Sequence, residues 1–391
     1  MTFTSTDMIA LRRDLHLIPE VGLQLPLTQQ LLLDALAGLG LEVHRGRDLT
    51  SVVAILRGGT RGVAGDGNVN VLLRSDMDAL PVVEETGLDF ASTNGSMHAC
   101  GHDLHMAMLV ATAHRLSGMR ETLAGDVVFV FQPGEEGHGG ARMMLKEGVL
   151  DIAGSRSTAV FGMHALSYHL PTNHIGLRPG PIMSGSTLVR VTFTGRGGHG
   201  SAPHLTNDPL LAGAVFVPTV TSAVSRATDM FDPHTLTFGS FQAGASYNVI
   251  PDRVVLLGTL RSFSTAVADR ARGVIREVAE SVARAHAVDV EVILTEDTVP
   301  TSSDAGEVDI TKAVDPHNTH LLDRPISVSE DFCWFLKEVP GVFVLLGAQL
   351  PTSDGTPPAS NHSAKAVFDE SAMDVGHELE VNWAVKRLEL A

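Results

Sequence analysis

The sequence predicts an α/β protein whose mixed, mainly parallel sheet is interrupted by a smaller inserted α+β domain. Three observations carry this prediction. Short apolar runs rich in Val, Leu and Phe alternate with stretches of helical periodicity through the first half, the pattern of a sheet covered on both faces. Near Pro181 the pattern changes to strands with one wet face, in a β-α-β-β-α-β series of about 110 residues. The first pattern then resumes, and 391 residues exceed what one core usually serves. The larger domain is assigned residues 1–181 and 296–391, and the insert residues 182–295.

Residues 5–18 and 27–39 read as helices, the second with Leu31, Leu32, Leu36 and Leu39 at helical spacing. Strands follow at 51–56 and 69–73, with the turn or exposed loop GGTRGVAGDGN between them. A helix at 103–117, a strand at 126–131, a short helix at 139–147 and a strand at 157–161 complete the first part. In the insert, Val189, Val191 and Phe193 alternate with Arg190 and Thr192, the period of a half-buried strand. A helix at 208–228 and strands at 235–241 and 253–261 come next. Residues 265–286 form a long amphipathic helix with Val267, Ala271, Val274, Val278 and Val282 on one face. A strand at 288–294 closes the insert. The tail reads as a helix at 329–337, a strand at 342–346, a Pro-rich loop at 351–360 and a last helix at 370–388.

Composition excludes several classes. A net charge of −17 argues against non-specific nucleic-acid binding and against docking on anionic lipid. No run reaches the roughly 18 apolar residues of a membrane span, and the first residues lack the basic start and apolar core of a signal peptide. Two cysteines, Cys100 and Cys333, give no disulfide framework, so a reducing, cytoplasmic setting is expected. The 18 histidines are unusual because several fall in short Gly-rich or acidic clusters.

Those clusters sit at strand ends. RSDMDALP follows one apolar strand, QPGEE a second and GMH a third, while HACGHDLH precedes a helix. In open α/β sheets, ligands bind at the carboxyl ends of strands, so these loops can converge on one crevice. HACGHDLH holds one thiol and three imidazoles, the donors that first-row divalent metals prefer. Taken alone, it reads also as a buried cysteine beside surface histidines. Glu135 and Glu136 are adjacent, and in an extended segment they point to opposite sides. One could then ligate while the other acts as general base; an isolated pair reads also as a solvated acidic turn. Cys100 and His102 lie on the turn entering a helix, where both can reach one centre. His164 ends an apolar strand, as a core histidine also would, and His362 follows a long polar loop, as a surface histidine also would.

As a set, the motifs resemble the M20 family of metallopeptidases, in the amidohydrolase branch with aminoacylase-like, hippurate-hydrolase-like and auxin-conjugate hydrolase-like enzymes. The matching segments are DLHLIPEVGLQ, RSDMDALPVVEETG, HACGHDLH, FQPGEEGHGGARMML, GMH, GRGGHGSAPH, NVIPDRV, GTLRSF, SEDF and NHSAKAVFDE. They run in order from Asp14 to Glu370. The resemblance implies two divalent ions, Zn, Mn, Co or Ni, held by Cys100, His102, Glu136, His164 and His362, with Glu135 as general base. Five ligands are too many for one open zinc site and suit a dinuclear one. It implies that the insert is a dimerising lid whose closure completes the site. His199 would reach the partner's active site in a homodimer or tetramer, and Asn248 and Arg261 would hold a substrate carboxylate. Asp78 matches an acidic position that supports a ligand. The implied activity is hydrolysis of N-acyl amino acids. A dipeptidase or carboxypeptidase, a Cys100 nucleophilic hydrolase and a non-catalytic binder of amino-acid conjugates stay as alternatives. Gly134, Tyr247 and Ala364 depart from the family's usual residues.

Overall fold

The structure is a computed structural model that describes residues 3–59, 69–351 and 355–390. Most of the Gly-rich loop expected between the first two apolar strands, and three residues of the Pro-rich loop, lie outside the described residues. The chain divides into two compact units. The larger comprises Met1–Ile182, Ser302–Arg324 and Asp331–Ala391, and the smaller Met183–Thr301 and Pro325–Glu330. The strand Asp289–Thr298 runs across position 296, so the smaller unit keeps the chain through Thr301.

In the larger unit, eight strands among the described residues form one mixed sheet. Their spatial order is Glu42–Arg45, Val52–Leu56, Asp126–Gln132, Asn70–Asp76, Ala159–Pro171, Gly341–Gln349, Ile175–Leu177 and Thr319–Leu321. The central four, from Asp126–Gln132 to Gly341–Gln349, are mutually parallel, while the first two strands and Ile175–Leu177 join antiparallel. Central strands are buried on both faces, which is why they read as continuous apolar runs instead of alternating ones. The helix His102–Gly118 packs among Ser5–His16, Ala372–Glu389 and the strand Asn70–Asp76. Thirteen of its seventeen residues are buried, so it shows no clean amphipathic stripe.

The parallel register aligns the chemistry. Asp76 stands opposite Gln132, the last residues of their strands, and His164 stands opposite Leu345. The carboxyl ends of the parallel strands therefore deliver the RSDMD, QPGEE and GMH segments to one edge. The strand carrying GMH is longer than the sequence predicts. It continues through the polar SYHL segment to Pro171, so His164 lies within the strand and not at its end.

The smaller unit is a four-stranded antiparallel sheet in the order His234–Ala243, Arg253–Ser262, Gly185–Thr194 and Asp289–Thr298. With helices Pro209–Ala227 and Thr265–His286 this is the expected ferredoxin-like series. Val189, Val191 and Phe193 meet Phe216, Val220, Ile275 and Ala279 in a separate core. Asp208 caps one helix through Leu210 and Leu211, and Ser264 caps the other through Val267. The sequence predicts no membrane span, yet the helix Pro209–Ala227 has 19 residues and is long and apolar enough by length and composition. Its Ala212, Gly213, Phe216, Val220 and Val224 recur at helical spacing and are buried in the unit's own core. Leu210, Leu211 and Val215 of the same helix are exposed.

Candidate metal centre

Two triads of ligand-type atoms share Cys100. Cys100, His102 and His164 form one, and Cys100, Glu136 and His362 the other, with the atoms of each triad within 4.8 Å of one another. Cys100 Sγ lies 3.3 Å from His164 Nε2 and 3.2 Å from His362 Nε2. Glu136 Oε1 lies 3.1 Å from His362 Nε2 and 3.9 Å from His102 Nε2. Donors bound to one tetrahedral ion at 2.0–2.3 Å stand roughly 3.3–3.8 Å apart, so these spacings suit a common ion in each triad. The sequence brings these residues from four separate segments, and folding places all five side chains together.

Local structure explains how each is held. Gly101 caps the helix His102–Gly118 with φ +84°, and a Cβ there would come within 3.1 Å of the Phe368 ring. That left-handed turn lets Cys100 and His102, two apart, face one centre. His164 Nδ1 donates to its neighbour's carbonyl, Ala165 O, at 2.8 Å, which turns Nε2 toward Cys100. Burial pulls the His164 pKa down to about 3, so the ring is neutral and fit to ligate. His362 takes a left-handed conformation, φ 68°, and its N–H donates to Ala99 O. A non-glycine residue held there carries backbone strain of the kind found at functional sites. Neither ring nitrogen of His102 has a hydrogen-bond partner although the ring is buried. A buried polar atom without a partner is costly, and a cation between His102 and its neighbours would satisfy it.

The thiol is not set up as a nucleophile. Burial raises the Cys100 pKa well above the ordinary thiol value, and the carboxylates of Glu136, Glu135 and Asp76 push it further, against the Asn361 amide. A reactive cysteine needs the opposite, a partly exposed and electropositive setting. Glu136 moves the other way. Burial raises it, but His362 and His102 outweigh that and hold the carboxyl below its usual value.

Glu135 and Glu136 sit in a turn, not in the extended segment the sequence suggests. Gly137 N–H closes back on Glu135 O, and Gly134 has φ +75°. A Cβ on Gly134 would come within 2.5 Å of Leu23 Cδ2, which accounts for glycine at this departure from the usual small residue. The turn leaves both carboxylates within 4.8 Å of each other and of His102, but gives them different partners. Glu136 faces the second triad, and Glu135 Oε1 accepts from the Asp331 N–H at 3.4 Å.

Asp78 holds this turn. Its two oxygens accept the backbone N–H groups of Glu135 at 2.9 Å and Glu136 at 3.0 Å. Burial pushes its pKa up to about 8; the two amides pull it down, and Glu136 and Asp76 push it up. Asp78 therefore acts through the backbone of the glutamate pair.

Three further residues have no role in the sequence reading. Asp76 accepts from His105 Nδ1 at 2.6 Å and lies 3.7 Å from His102 Nδ1. His105 Nε2 in turn accepts the Ala165 N–H, so Nδ1 carries the proton. Asn361 donates to Cys100 O, to Ala165 O and, at 3.8 Å, to Cys100 Sγ. Asp331, of the SEDF segment, gathers donors from Arg74, Gln132 and Ala141. All lie inside quoted motifs, but only a folded chain shows what each one touches.

The remaining expected residues belong to the smaller unit. His199 is exposed and its Nδ1 meets Ser201 Oγ at 2.8 Å. It stands beside Asn248, because Gly200 N–H donates to Asn248 O and His199 pairs with Val249. Arg261 lies on the strand Arg253–Ser262, half-buried, with Nη1 on Ser329 Oγ at 2.6 Å. Burial lowers its pKa, opposed by Asp297. Tyr247 is fully exposed.

Comparison with known proteins gives consistent results. Residues 72–384 match the peptidase family M20/M25/M40. Thermostable carboxypeptidase 1 of Saccharolobus solfataricus is 34% identical over 97% of this chain and 95% of its own. IAA-amino acid hydrolase ILR1-like 2 of Arabidopsis thaliana is 34% identical over 97% of this chain and 85% of its own. The YXEP protein of Bacillus subtilis, described as a dinuclear metal binding peptidase from the M20 family, superposes with a TM-score of 0.83 at 29% identity. It covers 99% of both chains. Sequence, fold and paired ligand triads agree: the chain belongs to the M20 peptidase family, in its amidohydrolase branch, and is a hydrolase of amide bonds.

Proposed function

We propose that the chain hydrolyses N-acyl amino acids, cleaving the amide between an acyl group and an amino acid. The observation that carries this is the pair of triads sharing Cys100, with Glu135 beside them, within 4.8 Å of His102 and Glu136 and hydrogen-bonded to the Asp331 N–H. Cys100, His102 and His164 would hold one divalent ion, and Cys100, Glu136 and His362 a second. Two such ions, when bound, supply the positive charge that polarises an amide carbonyl and acidifies a water.

The chain's own groups do the rest. Glu135 takes the proton of the attacking water and passes it to the leaving amine. Asp78 keeps Glu135 and Glu136 at a fixed offset through their amides. Asn361 and His105 fix Cys100 and the segment of His164 from behind. Asn248 and Arg261 bind the free α-carboxylate, a task suited to the planar guanidinium fork. His199 stabilises the tetrahedral oxyanion in the site of a second copy of the chain. A homodimer through the smaller unit agrees with the exposed apolar Leu210, Leu211 and Val215 on the helix Pro209–Ala227.

The test is a panel of acetyl-, benzoyl- and long-acyl amino acids beside dipeptides and C-terminal peptide substrates. It is run on metal-loaded and on chelator-stripped protein. Turnover of the acyl amino acids that disappears with the metal and returns on adding Zn²⁺, Mn²⁺, Co²⁺ or Ni²⁺ is the expected result. Undiminished turnover by fully stripped protein would refute the mechanism. Preference for peptides would move the substrate class toward that of the carboxypeptidase relative.

A further inference from the structure

Glu135 has a neighbour that the proposed reaction does not use. The Asp331 N–H donates to Glu135 Oε1 at 3.4 Å. The Asp331 side chain is itself fixed from three directions. Arg74 Nη2 donates to it at 2.9 Å, Gln132 Nε2 reaches both oxygens at 2.8 and 2.9 Å, and the Ala141 N–H donates at 3.0 Å. Arg74 is buried, and its other nitrogens are occupied too. Nε donates to Gln132 Oε1 at 3.0 Å and Nη1 to Asp76 Oδ2 at 2.7 Å. Asp76 lies against His105 and His102. The next residue, Phe332, places its ring 5.8 Å from the Arg74 guanidinium, in space that a Cβ on Gly162 would enter at 2.9 Å. A continuous buried chain of polar contacts thus runs from His102 through Asp76, Arg74 and Asp331 to Glu135. Asp331 is also where the chain returns from the smaller unit to the larger.

We propose that Asp331 is a positioning residue for Glu135. Its carboxylate is pinned by Arg74, Gln132 and the first turn of the helix Gly140–Glu147, and its backbone N–H then aims one oxygen of the Glu135 carboxylate. A flexible glutamate side chain on a surface turn gains little by being near the reacting atoms unless its rotamer is fixed, and sub-ångström placement governs the rate. The inference rests on the reading of Glu135 as general base.

Asp331→Asn keeps the side-chain shape and removes the charge and one acceptor, without touching a proposed ligand or the base. Two readouts are taken together. In steady-state assays kcat falls about ten- to a hundredfold while KM stays within about threefold and the metal content per chain is unchanged. In a crystal structure of the variant, the Glu135 carboxylate is displaced or adopts several rotamers while Glu136 keeps its place. A kcat within about twofold of wild type, or Glu135 in its original rotamer, overturns the proposal. So does a loss of kcat that follows a parallel loss of metal, because the role would then lie with the ligands. Gln132→Met, which removes two of the contacts to Asp331, is the second variant should Asp331→Asn fail to fold. It is expected to act in the same direction, by about three- to tenfold. A wild-type protein inactive on every acyl amino acid would refute the proposed reaction, and the Glu135 position in the variant crystal would still decide the inference.

Discussion

Glu135 and Glu136 are neighbours in sequence that both lie near His102 but differ in their other partners. Glu136 Oε1 lies against His362 and His102, and Glu135 Oε1 against a backbone amide. Glu135→Gln should therefore lower kcat by about 10²–10⁴-fold with metal content unchanged. Glu136→Gln should lose metal. Elemental analysis beside kinetics checks both, and metal loss from the first variant would mean that the roles are reversed. Asp78→Asn places an amide NH₂ where one of two backbone N–H groups needs an acceptor. Its metal affinity should fall about 10–100-fold, measured by competition with a chelator of known strength, while the fold stays intact. An unchanged affinity would show that Asp78 does not hold the turn. The five ligand-type residues were legible in the sequence because HACGHD, GEE, GMH and NHS resemble a known family in order and content. The posts behind them were not. Asp76, Asn361 and Asp331 act through hydrogen bonds between segments far apart in the chain, and no local pattern encodes those.

At the scale of elements, the apolar central strands and the long helices could be read from periodicity, and the short pieces could not. The strand Glu42–Arg45 is exposed at all four positions, and Ile175–Leu177 and Thr319–Leu321 have three residues each. None carries enough pattern to be seen. The helix Ala305–Val314 is likewise not predicted from the sequence, although Asp304 caps it through Gly306 and Glu307. Helix–helix packing also hides a charge. Glu380, on the last helix, is buried against His102–Gly118, where Thr112 Oγ1 donates to its Oε2 at 2.6 Å. Burial pushes its pKa up to about 8 from 4.5, the Thr112 bond pulling the other way. The folded state thus binds this proton more tightly than the unfolded state. The stability linked to it is full below pH 4.5 and is lost as pH rises through about 8. Glu380→Gln keeps an acceptor for Thr112 and cannot ionise. Its melting temperature should exceed that of wild type at pH 8.5, by an amount on the order of a few kcal/mol in stability, with the gap closing toward pH 5. Melting curves across that range check it, and a gap that widens toward low pH would show that Glu380 is ionised in the folded protein.

For the whole molecule, the decisive feature is that the two units have separate cores and unequal chemistry. Phe129, Phe131, Phe161 and Trp383 belong to the core of the larger unit, and Phe193 and Phe216 to that of the smaller. The insertion was legible because a sheet with one wet face reads differently from one buried on both faces. The six-residue return Pro325–Glu330 was not, since so short a segment has no period. Every residue of the two triads lies in the larger unit. A ligand stabilises only the unit whose folded form binds it, by about 2.7 kcal/mol at a hundredfold excess over Kd. Scanning calorimetry of the stripped protein should accordingly resolve two transitions. Added Zn²⁺ or Mn²⁺ should raise one of them by several degrees, further with each tenfold step in free metal, and leave the other in place. His102→Ala removes a donor from one triad only, so it should reduce the shift without abolishing it, and Cys100→Ser should reduce it more because both triads share that residue. Equal displacement of both transitions would show that metal binding draws on the smaller unit, and no displacement at all would remove the case for Cys100 as the shared ligand.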